Sequence, residues 1–245
     1  MATCAARSTT KIAAAMAEPL LARTLNRVVR QGMRAFPDVF ATAPGAREVK
    51  LVGLDPVRVL VIGSGVALGW GASSQSKALT GAIAYELQAR TGRGAIVVNH
   101  AQEMQTVEQT VQDLGVIGAT TFGVVVWCPS LFDVFKSPER GRYHRALLDG
   151  LRSLHETKPK SGLILICTLP SPTNRGPVEE IARRLVPRFN AGLRRVAAPF
   201  PDVRICESPS FTTLTDHQTF ARGYYNQWAE RIADSAGWNQ HARSA

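Results

Sequence analysis

The sequence predicts a single α/β domain in which helices cover both faces of a parallel sheet. From Val57 onward, short apolar segments of strand length alternate with longer segments of helical periodicity, as in a sheet buried on both faces. The chain has 245 residues and is 45% hydrophobic, which suits one substantial core. We therefore expect a three-layer α/β/α sandwich around a five-stranded parallel sheet.

The expected strands are short runs rich in Val, Ile and Leu. In chain order they are VRVLVIG from Val57, GAIVVNH from Gly94, FGVVVWC from Phe122, GLILICTLP from Gly162 and DVRICES from Asp202. The expected helices lie between those strands, in segments that have an apolar stripe or a polar, charged face. They cover residues 79–90, 106–114, 142–156, 177–197 and 221–236, and Pro187 is expected to kink or divide the fourth of them.

We divide the chain into a lead-in, a domain and a tail. Residues 1–55 are expected to form a basic amphipathic helix followed by an irregular segment, residues 56–236 the α/β domain, and residues 237–245 a C-terminal tail. The formal net charge is +10, and the first fifth of the chain carries about half of that excess. The basic character therefore belongs mainly to the lead-in.

Four arginines of the lead-in recur at helical spacing: Arg23, Arg27, Arg30 and Arg34. Such an arginine face is suited to an anionic membrane surface or to an acidic partner. A solvated helix packed against its own domain is the alternative. Nucleic-acid binding is not expected, because no aromatic residues or known binding motif accompany the charge.

The membrane hypothesis for the arginine face makes a direct prediction. Sedimentation of the protein with anionic liposomes should fall when Arg23, Arg27, Arg30 and Arg34 are all changed to glutamine, because each basic side chain near such a surface contributes about 1 kcal/mol. Vesicles of neutral lipid serve as the control. Equal sedimentation of the two proteins with anionic vesicles would remove the membrane hypothesis.

Other features bear on compartment and cofactors. The N-terminus lacks a continuous apolar segment, and the longest apolar runs are well short of the roughly 18–20 residues of a membrane span. A cytoplasmic location is the expectation. The four cysteines, Cys4, Cys128, Cys167 and Cys206, form no CxxC pair, so we expect buried reduced thiols, no metal and no cofactor.

Three sequence blocks resemble the SGNH (GDSL-type) hydrolase family. They are VLVIGSGVALGWGA from Val59, VVVWCPSLFDVFKSPERGRYHRALLDGLRSL from Val124, and TDHQTFARGYYNQWAERIA from Thr215. With the spacings between them, the resemblance spans about residues 56–236. It implies a flavodoxin-like SGNH fold, a serine nucleophile, and a small-molecule ester or lipid-like ligand.

The same resemblance shows where the family's catalytic groups are missing. Gly65 stands at the position of the nucleophilic serine, and Ser64 at that of the preceding acidic residue. In the block from Val124 Asp133 is retained, but Phe132 stands where the family has the asparagine of its oxyanion hole. A phenylalanine donates no hydrogen bond, so the hole should be weakened.

The segment NHAQEMQTV, after the second expected strand, and the block from Thr215 also depart from the family's pattern. In NHAQEMQTV, Ala101 and Met104 replace the family's glycines, and a backbone oxyanion donor would survive although Met104 would crowd the pocket. In the last block the family's aspartate and histidine positions fall on Thr215 and Gln218, so that Asp216 and His217 are each displaced by one residue. We therefore expect ester hydrolysis to be lost or strongly reduced, leaving a binding role.

Several alternatives stay open. An active hydrolase or acyltransferase would use Ser64 as a shifted nucleophile, His217 as the base, and Asp216 or Asp133 as its support. Cys128 is a second candidate nucleophile, and His100 a candidate ligand-binding residue. The glycines of Gly63–Gly65 also fit a dinucleotide-binding turn, although no carboxylate follows the second strand.

Overall fold

The computed structural model describes residues 41–136, 140–171, 173, 176–210 and 217–238, together with positions 27 and 31. Six strands form one mostly parallel sheet in the order β1-β3-β2-β4-β5-β6. They are β1 (Glu48–Leu51), β2 (Leu54–Gly63), β3 (Arg93–Asn99), β4 (Val124–Cys128), β5 (Leu163–Cys167) and β6 (Val203–Cys206). The predicted fold class is confirmed, because β2 to β6 are mutually parallel and follow the flavodoxin-like order.

The sheet has one strand more than the sequence predicted. β1 pairs antiparallel with β3, with Glu48 opposite Val98 and Leu51 opposite Ala95. Its residues lie in the segment expected to be an irregular lead-in, so that prediction is wrong for this part of the chain. Val49 and Leu51 pack against the core while the alternate residues face outward, which suits a short edge strand.

Six helices longer than a single turn are found in the described part of the chain. They are α1 (Leu79–Thr91), α2 (Val107–Ile117), α3 (Leu131–Lys136), α4 (Arg140–Thr157), α5 (Pro177–Ala197) and α6 (His217–Ala236). The bounds of α5 are those predicted, and it continues through Pro187 as one helix rather than being divided. Val186 and Phe189, on either side of that proline, are buried and hold both halves against the sheet.

The helices cover both faces of the sheet. Helices α2, α4 and α5 pack on one face, where Leu147, Leu151 and Leu154 form the predicted leucine stripe of α4. Helices α1 and α6 pack on the other face, and Trp228 of α6 is among its largest fully buried side chains. The molecule is therefore the three-layer sandwich expected from the sequence.

Three cysteines form a row across the carboxyl ends of neighbouring strands. The Cys128 and Cys167 sulfur atoms are 3.8 Å apart, and Cys167 lies opposite Cys206 in register. All three are free thiols with no exposed surface. The prediction of buried reduced thiols holds for this row.

Residues 41–47, which lead into β1, are bound to the loops that follow β2 and β3. The Ala43 N–H donates to the Leu68 carbonyl (3.0 Å), and Arg47 Nη1 donates to the Ala101 carbonyl (3.0 Å). Thr42 Oγ1 donates to the carboxylate of Glu103 (2.9 Å). The entry segment therefore fixes these loops at the carboxyl end of the parallel strands.

Arg27 is helical and exposed, while Arg23, Arg30 and Arg34 lie outside the described residues. The membrane-contact hypothesis therefore stays a prediction. No helix in the described ranges is both long enough and apolar enough to cross a membrane.

Candidate functional site

The candidate site lies between the carboxyl ends of β2 and β4. The connection from β2 leads through α1 to β3 on one side, and that from β4 leads to β5 on the other. The ends of these two strands are therefore the switch point, where ligands of open parallel sheets bind. We call Gly63, Ser64, Gly65, Cys128 and Ser130 the strand-end site.

The two strand ends are in direct backbone contact. The Ser64 N–H donates to the Cys128 carbonyl at 3.1 Å. Gly63 has φ +111, and a Cβ added there would lie 2.0 Å from the same carbonyl oxygen. Only glycine fits this position, because the backbone of β4 occupies the space of a side chain.

Gly65 leaves the position of the family's nucleophile without a side chain. It is buried and adopts φ +65, in the left-handed region that favours glycine. A Cβ built on it would lie 3.3 Å from the Cβ of Ser130. The side chain nearest to the missing one is thus a serine in the loop that follows β4.

Ser130 is a site residue that the sequence analysis missed. It follows β4 by two residues, is 5% exposed, and its Oγ accepts a hydrogen bond from the Phe132 N–H at 3.2 Å. The available signal was its position just past a predicted strand end. Its proximity to Gly65 depends on the pairing of β2 with β4, which the sequence does not specify.

Ser64, the predicted shifted nucleophile, is enclosed by protein. Its side chain is 1% exposed, and its Oγ has no hydrogen-bond partner among the described residues. A nucleophile must lie within hydrogen-bond reach of a base and in contact with substrate. His217 begins α6, but its side chain and all of Asp216 and Thr215 lie outside the described residues, as does the side chain of Gln218.

A buried polar network positions the loop after β3. The Asn99 side-chain amide donates to the Ala67 carbonyl (2.6 Å) and to Thr80 Oγ1 (3.1 Å), while its oxygen accepts from the Ala101 N–H (2.8 Å). Gln75 joins the same cluster through Thr80. Because its amide groups are consumed within the core, Asn99 offers little to a ribose in a dinucleotide turn.

Met104 keeps a backbone conformation that suits glycine. Its φ of 54° lies in the left-handed region, which non-glycine residues rarely occupy. Family resemblance assigns a glycine to this position. A methionine side chain is therefore unfavourable in this turn.

Phe132 is buried where the family has its oxyanion-hole asparagine. It is 4% exposed, and its ring packs edge-on against Trp70 with centroids 6.1 Å apart. Trp70 also accepts a hydrogen bond at its carbonyl from the Tyr225 hydroxyl (2.8 Å). An aromatic pair thus stands at the position where a polar donor was expected.

Asp133 has a structural role in addition to its place in the family pattern. Its carboxylate is 2% exposed and accepts hydrogen bonds from the Val107 N–H (2.7 Å) and the Ser130 N–H (3.2 Å). Val107 is the first residue of α2, so the negative charge lies at the positive end of a helix dipole. Asp133 joins the start of α2 to the end of β4.

His100 and Cys128, the remaining candidates, lie in different surroundings. His100 follows β3 at the surface, and partial desolvation of its ring together with the charge of Arg47 lowers its pKa. Cys128 lies in the buried thiol row, where its hydrogen bond raises the pKa of Cys167. No group of metal-ligating side chains is found within the described ranges.

Comparisons with known proteins bear on the fold of this chain. A scan against protein-family models and a search of curated protein sequences find no match to this chain. Solved structures do match. The lipase Lip_vut3 from a goat rumen metagenome is 14% identical, with a TM-score of 0.62 over 75% of this chain and 99% of its own.

Two other solved structures also match the structure of this chain. A lipolytic G-D-S-L family member from Veillonella parvula is 8% identical, with a TM-score of 0.55 over 73% of this chain and 97% of its own. A family two carbohydrate esterase from Clostridium thermocellum, solved in complex with cellohexaose, is 14% identical, with a TM-score of 0.54 over 77% of this chain and 66% of its own. The chain therefore has the fold of the SGNH (GDSL-type) hydrolases.

Proposed function

We propose that this chain is a non-hydrolytic relative of the SGNH hydrolases that binds a small molecule instead of cleaving an ester. The observation that carries the proposal is the strand-end site itself. Gly65 provides no hydroxyl at the switch point, and the two neighbouring serines, Ser64 and Ser130, are 1% and 5% exposed. A buried hydroxyl is poorly placed to attack a substrate carbonyl.

The surroundings of the site support the same proposal. An oxyanion-hole donor typically contributes a factor of about 100–1,000 in rate. At Phe132 that donor is replaced by a buried ring packed on Trp70. Because the catalysis that remains after loss of a nucleophile comes mainly from the oxyanion hole and from substrate binding, loss of this donor lowers even that residual rate.

The alternative is an ester hydrolase or acyltransferase that uses Ser64, His217 and Asp216. The names of the structural neighbours, which include a lipase and a carbohydrate esterase, favour that class of reaction. It requires the Ser64 hydroxyl to become accessible, since this hydroxyl lies below the surface. A reaction of this kind would therefore need the loops over the site to open.

We predict that the purified protein hydrolyses short-chain and medium-chain nitrophenyl esters no faster than background. Ser64→Ala and Ser130→Ala should give the same rates, because neither hydroxyl acts as a nucleophile. Release of nitrophenolate measures turnover, and an active lipase serves as the positive control. Ser64→Ala is a clean test, since it removes only an unpaired buried oxygen.

Two results would overturn the proposal. Turnover well above background that disappears in Ser64→Ala would establish the shifted nucleophile. Turnover that disappears in Ser130→Ala would assign the reaction to Ser130, in the loop after β4. Circular dichroism of each variant checks that a lost rate is not lost folding.

A further inference from the structure

A cleft of about 340 Å³ opens between the first turns of α2 and α4. Asp133 and Tyr143 line it, with Glu108, Gln109, Gln112 and Arg142 from the two helices. None of the residues of the strand-end site lines it. Its volume is near the lower limit for small-molecule sites, which are roughly 300–1,000 Å³.

Tyr143 contributes an unpaired donor to this cleft. The residue is 2% exposed, and its hydroxyl has no hydrogen-bond partner among the described residues. Burial raises the pKa of Tyr143, and the charge of Asp133 raises it further, so the hydroxyl stays protonated. Both residues line the cleft, and a buried donor of this kind is unfavourable until an acceptor reaches it.

The remaining polar groups exclude some classes of ligand. Glu108 and Arg142 form an ion pair of 2.8 Å, so their charges largely cancel. Two of the first three N–H groups of α2 are already bound, that of Val107 by Asp133 and that of Gln109 by Thr106. An anion would therefore gain little from the helix dipole and would be repelled by the Asp133 carboxylate.

An apolar ligand is equally unsuited to the cleft. Its walls consist mainly of hydroxyl, amide and charged groups, and such groups lose their hydration without compensation against an apolar surface. The Gln112 side chain is exposed at the cleft and provides both a donor and an acceptor. Neutral molecules with several hydroxyl groups match this lining.

We propose that the cleft binds a neutral, polyhydroxylated ligand of monosaccharide size, and that a shift of the side chains around Tyr143 lets its buried hydroxyl donate a hydrogen bond to one of the ligand's oxygens. The inference rests on the binding role proposed above and identifies where and what the chain binds. It does not require any chemistry at Gly65.

Saturation-transfer NMR and calorimetric titration with D-glucose, D-xylose and N-acetyl-D-glucosamine test the proposal. At least one of these sugars should bind saturably, and Tyr143→Phe should weaken that binding about fivefold or more, as expected for one lost hydrogen bond. Tyr85→Phe is the matched control, because Tyr85 is a 57% exposed tyrosine on α1. It should bind the sugar as the unaltered protein does.

Thermal unfolding without ligand provides a second measurement. Tyr143→Phe should melt at the same temperature as the unaltered chain or higher, because it removes an unpaired buried hydroxyl. A clearly lower melting temperature would mean that the hydroxyl serves the fold through a structural water, and would overturn the proposal. Absence of saturable binding by all three sugars, or equal binding by Tyr143→Phe, would overturn it too.

Two further results distinguish the proposed sugar site from an anion site and from the proposed non-hydrolytic function. Saturable binding of inorganic phosphate that is lost in Tyr143→Phe would assign the cleft to anions instead. Ester turnover that depends on Ser64 would refute the non-hydrolytic proposal, while sugar binding that depends on Tyr143 would still establish the cleft as a ligand site.

Discussion

Replacing Gly63 by alanine should unfold the protein or lower its free energy of unfolding by about 4 kcal/mol or more, at the extreme of single substitutions. The added Cβ would lie 2.0 Å from the Cys128 carbonyl oxygen, and alanine is also strained at φ +111. The carbonyl cannot move freely, because it accepts the hydrogen bond of the Ser64 N–H. Chemical denaturation followed by circular dichroism measures the loss.

Gly115→Ala is the matched control for this prediction. Gly115 lies in α2, and a Cβ added there would have no atom within 4 Å. Alanine at this helical position should raise the free energy of unfolding by about 0.5–1 kcal/mol. If Gly63→Ala were as stable as this control, the close packing of β2 against β4 would be refuted.

Asp133→Ala should lower the free energy of unfolding by about 3–4 kcal/mol, because it leaves two buried N–H groups without an acceptor. Those groups belong to Val107 at the start of α2 and to Ser130 after β4. The loss of a negative charge at the helix N-terminus adds to the effect. Asparagine should restore part of the stability, since its carbonyl oxygen still accepts one hydrogen bond.

The control for Asp133 is Asp149→Ala in α4. Asp149 is exposed, so its removal should change the free energy of unfolding by no more than about 0.5 kcal/mol. Urea denaturation of the three variants, each compared with the unaltered chain, provides the measurement. A loss below about 1 kcal/mol in Asp133→Ala would show that its hydrogen bonds contribute little net stability.

The sequence predicted the larger part of the fold because its strands are buried on both faces. Segments such as Val124–Cys128 are continuously apolar, and such runs stand out between amphipathic helices. β1 escaped prediction since it has four residues and alternates charged with apolar side chains. Its position depends on pairing with β3, a contact about fifty residues away along the chain.

The sequence was enough to locate the candidate site, but not to predict the contacts within it. The positions of Gly65 and Phe132 followed from the family resemblance, and both are buried at the strand ends. The sequence did not show which of these segments contact one another. The contact of Ser130 with Gly65, and the hydrogen bonds of Asp133 to Val107, join segments that only the folded sheet brings together.

Met104 illustrates why substitutions are hard to interpret from sequence alone. A methionine in place of the family's glycine suggests that the turn itself has changed. The backbone nevertheless has φ 54°, a conformation that favours glycine and is strained for methionine. The residue type at this position therefore does not reveal its backbone conformation.

The edge strand reverses the direction in which the chain enters the domain. Because β1 runs opposite to its neighbour, residues 41–47 arrive at the same end of the sheet as Gly65 and Met104. A change that displaced residues 41–47 would therefore disturb the loops after β2 and β3 first, through the hydrogen bonds of Thr42, Ala43 and Arg47.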